Sequence, residues 1–392
     1  MPQTSTSPEP KEESFVDDTG YPDGGLRACL VVVGVNTHTA QVFQAYYQLH
    51  LLKNETPSAM SMALTFGLAI FMGRLFDNGW FALPAALASV CLIVFTILIG
   101  ECVEFWQFLL CQGFAVGLAC GVIFGPTLAI VSHWFKRRRS TALGIVAAGS
   151  SGRWIIVPIL VQRLIPQIGF RWTLRVLALF LFFTTGIMNL CLRRRLDPIH
   201  TSGGIFNFAA FKSKPFYLYT LAVFVCFFGL YTLLTYIDVS ATSAGIDPSF
   251  DVYLLSFANA ASGVAAGSMS VMIPGTFLAA ILTYAWPYAK DLGSLVAIAI
   301  MYGFASGVFL SLQAVPLIHM GSIPDVGRRI GTLFSVLAIS ALAGPPISGA
   351  IAGRTGGYVA VGWYAGSVIM VALGLLWYVR YLMTGKIVGG RF

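Results

Sequence analysis

Long apolar segments constrain this chain more than any other feature. A hydrocarbon core of ~30 Å takes about 20 apolar residues at helical rise. On that rule twelve spans are expected, at 26–47, 58–73, 80–100, 105–131, 142–165, 172–192, 216–237, 250–267, 271–287, 292–319, 330–352 and 359–383. The second, eighth and ninth are short, and the first has a polar middle, Asn36-Thr37-His38-Thr39-Ala40-Gln41. Inside a bilayer backbone amides find no water, so such segments fold as helices packed on helices. Charged residues make up only 10% of the chain, against ~25% in a soluble domain whose surface faces water. The expected class is an all-α polytopic membrane protein.

Positive residues sit in short clusters between the apolar runs, which is the pattern of orientation signals and not of a nucleic-acid surface. With twelve spans and a cytosolic N-terminus, seventeen Lys and Arg fall on the inside and five on the outside, with Arg153 and Arg175 within spans. Both termini are therefore expected in the cytosol. Residues 1–25 are acidic and rich in Pro, Ser and Thr, and read as a disordered tail. Asn54-Glu55-Thr56 is the one N-x-[ST] sequon, and it falls in the first external loop, so Asn54 is a glycosylation candidate. The seven cysteines form no CxxC pair and read as apolar packing residues.

An internal repeat divides the chain. Gly113-Phe114-Ala115-x-Gly117 recurs as Gly303-Phe304-Ala305-x-Gly307, an offset of 190. At the same offset Pro126 matches Pro316, Ser132 matches Ser322, Arg138-Arg139 match Arg328-Arg329 and Leu143 matches Leu333. The longest polar break, with Arg193-Arg194-Arg195 and Ser202-Gly203-Gly204, lies at the midpoint. The expected organisation is a tail (1–25), a six-helix bundle (26–192), a cytosolic linker (193–215), a second six-helix bundle (216–383) and a short tail (384–392). Parallel six-helix halves are the arrangement of a large class of secondary transporters.

Glycine patterns suggest close packing and bending. Gly113, Gly117, Gly121 and Gly125 recur every fourth residue, as do Gly144, Ala148 and Gly152, and Gly344-Pro345-Pro346 is followed by Gly349 and Gly353. Small residues at this spacing let helices approach, or line a moving path. Helix breakers at membrane depth are tolerated where the backbone faces protein or water. Gly73-Arg74-Leu75-Phe76-Asp77-Asn78-Gly79 follows the second span. Arg74 and Asp77 can pair with each other or with adjacent helices, as a solvated turn or as a latch that closes the cytosolic side.

Ionisable residues within spans are few, which makes them functional candidates, since a mid-helix charge costs roughly 2.5–3.5 kcal/mol. Arg153 lies mid-way along the fifth span and His38 mid-way along the first; Arg175, near the start of the sixth, can reach outward. No Asp or Glu lies near the centre of a span, so a buried carboxylate is not available to couple protons or sodium. The chain has no phosphate-binding G-x-x-x-x-G-K-[ST] loop and no H-E-x-x-H helix. Neither an enzyme, nor a cofactor, nor a metal site is expected.

Tyr21-Pro22-Asp23-Gly24-Gly25, leading into the first span, resembles the opening motif of monocarboxylate porters in the major facilitator superfamily. Trp134-Phe135-Lys136-Arg137-Arg138-Arg139-Ser140-Thr141-Ala142-Leu143-Gly144-Ile145-Val146-Ala147-Ala148-Gly149-Ser150-Ser151 is similar to that family's second motif. Gly73 to Gly79 is similar to the superfamily's loop motif between its second and third spans, and the likeness looks closest to the fungal branch. The resemblance implies twelve helices in two six-helix bundles, with a central site reached alternately from each side. It also implies movement of a small organic solute, a carboxylate or another metabolite, with or without a coupled proton, across the plasma membrane or an internal one. The family's carriers of small acids hold a lysine in the first span and an arginine in the eighth. This chain instead offers Asn36, His38 and Gln41 in the first, and Asn259 in an eighth span without arginine. Arg153, His38, Asn36, Gln41 and Asn259 are the expected pathway residues. A non-transporting or degenerate relative is the alternative reading.

Overall fold

A computed structural model describes residues 64–135, 139–192, 208–243, 269–321 and 326–385, and every regular element among them is helical. In chain order these are α1 (Ala69–Asp77), α2 (Ala82–Ile99), α3 (Phe105–Phe108), a π-helical stretch (Leu109–Val116) and α4 (Gly117–Trp134). They continue with α5 (Arg139–Cys191), α6 (Phe208–Phe211), α7 (Lys214–Ser243) and α8 (Met269–Ala285), which ends in a 3-10 turn (Trp286–Tyr288). The last are α9 (Leu292–Leu312), α10 (Val315–His319), α11 (Val326–Thr355) and α12 (Val359–Thr384). Eight helical runs among the described residues are long and apolar enough to cross a membrane. The expected first and eighth spans lie outside the described residues.

Three boundaries differ from the sequence expectation. The second span was expected to end at Gly73, where apolarity stops, but α1 continues through Arg74 to Asp77. It ends when the chain turns through Gly79, at φ 89°, a left-handed conformation that glycine adopts without strain. The expected loop between the fifth and sixth spans shrinks to one residue. Helical bonding runs from Arg139 to Cys191 and is interrupted only at Gly169, with φ 77° and ψ 167°. The described end of the expected linker is partly helical, with α6 inside it and α7 starting at Lys214.

The surface of α2 explains why this chain needs lipid. Leu83, Leu87, Val90, Val94 and Ile97 form an exposed stripe at three- and four-residue spacing. Ala85, Ala88, Ser89, Leu92, Thr96 and Ile99 form the buried face. Both faces are largely apolar, so the exposed one is suited to hydrocarbon and not to water. The buried hydroxyls of α2 bond within the helix, Ser89 donating to the Ala85 carbonyl at 2.7 Å and Thr96 to the Leu92 carbonyl at 2.7 Å.

The helices before residue 192 pack on one another, α2 on α5 and α4, and α1 on α4. Those after residue 208 do likewise, α7 on α12 and α11, and α8 on α9 and α12. The two groups meet where α11 lies against α1 and α4, and where α9 lies against α5. Exposed aromatic rings collect at both helix ends. Trp80, Tyr217, Trp377, Tyr378 and Tyr381 lie at the end that holds Asp77; Trp106, Trp172, Tyr288 and Trp363 lie at the opposite end. Such paired belts mark the two interfaces of a bilayer.

The repeat is visible in the elements but not in every dihedral. Its second copy, Gly303 to Gly307, is α-helical within α9, whereas Gly113 to Val116 are π-helical. The extra residue per turn shifts the register of the Gly113–Gly125 stripe. Past the π-stretch the stripe packs against the helical segment that leads into α1. A Cβ on Gly121 would lie 2.9 Å from the Thr65 carbonyl, and Thr65 donates to the Gly117 carbonyl at 3.3 Å.

Candidate functional site

Where α1 crosses α11 the two backbones touch. A Cβ on Gly73 would lie 2.2 Å from the Gly327 carbonyl oxygen, and one on Gly327 would lie 2.6 Å from the Gly73 carbonyl oxygen. Only glycine at both positions permits this approach. It brings Asp77, which is 3% exposed, onto the first turn of α11. Its carboxylate accepts from the Gly327 amide at 3.1 Å and from the Arg328 amide at 2.9 Å. These donors have no partner within α11, because the first four amides of a helix lack a preceding carbonyl. The carboxylate thus caps a helix 250 residues away and meets the positive end of its dipole.

A second side chain holds the same terminus from behind. Arg329, 2% exposed, donates from Nη1 to the Leu317 carbonyl in α10. This bond ties the start of α11 to the element before it. About two turns further along α11, Ser335 donates to the Gly67 carbonyl at 2.9 Å, again linking α11 to the α1 segment.

Beyond this crossing the two helix groups also meet through aromatic rings. Phe66 stacks on Phe334 at 5.5 Å, and Phe124 meets both edge-on at 5.7 and 5.0 Å. Phe227 of α7 adds an edge-on contact to Phe66 at 5.9 Å. Each such pair contributes roughly 0.5–1.5 kcal/mol beyond its buried area. Glycine contact, carboxylate cap and ring layer together join the two helix groups at this end.

The opposite end is held by charges at the surface. Glu101 pairs with Arg171 at 3.2 Å and with Arg175 at 3.3 Å. The Arg175 guanidinium lies 4.7 Å over the Trp172 ring. Arg175 therefore reaches outward to a helix end, as its position three residues into the span suggested. All three charged side chains are exposed, so the pairs contribute little to stability.

Among the residues singled out from the sequence, the structure brings Gly73, Asp77 and Arg328 together at one crossing, with Gly79 ending α1 and Arg74 half-buried in its last turn. Gly144 and Gly149 lie on the helical backbone of α5, and so does Arg153, whose side chain is outside the described residues. Asp23, Gly24, Gly25, Asn36, His38, Gln41, Asn54, Lys136, Arg137, Arg138 and Asn259 also lie outside them. Sequence reading did not single out Gly327, Ser335 or the rings of Phe66, Phe124, Phe227 and Phe334. The one available signal was a break in the repeat, where Gly327 stands against Arg137 beside the matched arginine pairs.

A family model described as Major Facilitator Superfamily matches residues 35–270. An MFS-type transporter of Gibberella moniliformis is 32% identical, over 97% of this chain and 96% of its own length. The Fujikurins efflux protein of Gibberella fujikuroi is 31% identical, over 98% of this chain and 89% of its own. The Aspyridones efflux protein of Emericella nidulans is 29% identical, over 92% and 80%. Among solved structures, the human organic anion transporter MFSD10 superposes with a TM-score of 0.69 at 14% identity, over 89% of this chain and 98% of its own, a likeness of fold.

Proposed function

The chain belongs to the major facilitator superfamily, and from that premise we propose that it exports an organic metabolite by alternating access. It is a multi-pass integral membrane transporter and not an enzyme. Export is supported by the relatives named as efflux proteins for fujikurins and aspyridones. The motifs at Tyr21–Gly25 and Trp134–Ser151 support a position beside the monocarboxylate porters, and so a cargo that carries a carboxylate or a comparably polar group.

The observation that carries the mechanism is the Asp77 cap on α11. A buried carboxylate bonded across the two helix groups stabilises one state only, since parting the groups returns it to water. Arg74, Lys212, Lys214, Arg328, Arg329 and Arg380 all lie at this end, which supports its assignment to the cytosolic face. The conformation described is then closed to the cytosol, and cargo loads after the cap is released.

The test compares metabolites inside and outside cells that carry the chain, lack it, or carry Asp77→Asn. Expected is one or a few organic solutes that accumulate inside when the chain is absent, with weakened export by Asp77→Asn at normal protein levels. Identical profiles with and without the chain, across cultures that produce the candidate solutes, would overturn export.

A further inference from the structure

We infer that α11 works as two mechanical pieces, with Gly344-Pro345-Pro346 as the pivot and Tyr236 and Thr232 as the positioning residues that hold the stationary piece. The inference rests on the alternating-access reading and adds which element bends. Pro345 and Pro346 both lie inside the helix. Neither carries an amide N–H, so the carbonyls of Ala341 and Leu342 lose the donors four residues ahead of them. Two successive missing bonds make this the softest point of α11, because helices bend where the bonding ladder is interrupted.

The contacts on the two sides of that point go to different partners. Toward the Asp77 end the contacts described above reach the first helix group, apart from the Arg329 bond to the Leu317 carbonyl of α10. Gly327 and Arg328 bond Asp77, Phe334 stacks on Phe66, and Ser335 bonds Gly67. From the prolines onward the contacts reach α7 instead. Tyr236 donates to the Pro345 carbonyl at 2.8 Å, and the Thr232 and Ser348 hydroxyls are 2.8 Å apart. Gly349 leaves the space that the tyrosine occupies, since a Cβ there would lie 2.5 Å from its hydroxyl. Gly344 lets α11 lie close on α7, with a Cβ position 3.1 Å from the Phe228 carbonyl. The inner piece is bonded across the seam and, through Arg329, to the short α10 before it, whereas the outer piece is bonded to α7. When the Asp77 cap releases, the inner piece swings while the outer piece stays on α7.

Spin-label distances in purified, otherwise cysteine-free protein test this. One pair, Val336→Cys with Phe71→Cys, reports across the seam. The other, Val336→Cys with Tyr378→Cys, reports within the second helix group. The Val336 site lies nine residues from Pro345, about 13 Å along the helix, so a ~20° bend moves it by about 4–5 Å. Asp77→Ala is expected to lengthen the first distance and to shift the second by that amount. Adding Pro345→Ala and Pro346→Ala is expected to abolish the second shift. A longer first distance with an unchanged second one means that the helix group moves rigidly, and overturns the pivot while leaving alternating access intact. No change in either distance overturns both the latch and the pivot. If Asp77→Ala yields no folded protein, Gly73→Ala opens the same seam and is read in the same way.

Discussion

Gly73→Ala is the smallest perturbation that separates the two helix groups. The added Cβ would sit 2.2 Å from the Gly327 carbonyl oxygen and 2.8 Å from its carbon, both backbone atoms that no rotamer change can clear. A carbon–oxygen contact settles at about 3.3 Å, so α1 and α11 must part by roughly 1 Å. The Asp77 bonds start at 3.1 and 2.9 Å. One further ångström takes both past the ~3.5 Å beyond which a hydrogen bond contributes little. Each charge-assisted bond is worth about 1.5–3 kcal/mol, and water returns to the carboxylate as the seam opens, so the lower end applies. A loss of ~3 kcal/mol changes the ratio of closed to open protein by roughly 150-fold. Ser335→Cys in a cysteine-free background reads that ratio, because Ser335 lies on the seam, bonded to the Gly67 carbonyl. Its reaction with a charged methanethiosulfonate should accelerate by about two orders of magnitude when Gly73→Ala is added. An unchanged rate in well-folded protein refutes the idea that the glycine contact and the Asp77 cap hold this end closed.

Other outcomes follow from single residues. Arg153→Lys should leave membrane levels normal and weaken apparent affinity for an anionic cargo, because an ammonium does not reproduce the paired bonds of a guanidinium; equal affinities in flux measurements count against cargo contact. Asp291 caps α9 by accepting from the Ser294 amide at 2.8 Å, and that bond, with the Ser294 hydroxyl, holds its carboxyl below the ordinary value of 3.8. A depressed folded-state value stabilises above the unfolded one and fades as pH falls through the folded one. Asp291→Ala should therefore lower the melting temperature slightly near neutral pH, and the difference should vanish in acid. Reporters active only in the cytosol should be active at both termini, and opposite results at the two ends would mean an odd number of spans. Endoglycosidase treatment should shift the protein on a gel, and Asn54→Gln should abolish the shift.

Eight of the twelve expected spans reappear as long apolar helical runs among the described residues, because an 18-residue apolar window is a local property that the bilayer dictates. The sequence carried the boundaries less well where tertiary partners decide them. Apolarity ends at Gly73, yet α1 persists to Asp77, whose carboxylate has backbone donors waiting on another helix. The break at Gly169 was unreadable for the opposite reason, since one positive-φ residue does the work expected of a loop. The functional crossing was half legible. Gly73 and Asp77 stood out by motif, and the reading allowed a partner on an adjacent helix, but nothing local to Asp77 names Gly327 and Arg328. The phenylalanine layer was invisible because 30 phenylalanines in an apolar chain give no pattern from which to choose four.

The cap that Asp77 places on α11 also sets an order of assembly. During synthesis residue 77 is made 250 residues before residue 327. At 5–20 residues per second the helix that carries this carboxylate waits roughly 12–50 s for its donors. Until α11 is inserted, the first helix group holds an acidic side chain at a surface that will later be buried. The next-to-last helix to be inserted is therefore the one that relieves it. A ribosome that stops short of residue 326 leaves Asp77 without the Gly327 and Arg328 amides and Phe66 without its stacking partner Phe334, which is the kind of surface that quality control recognises.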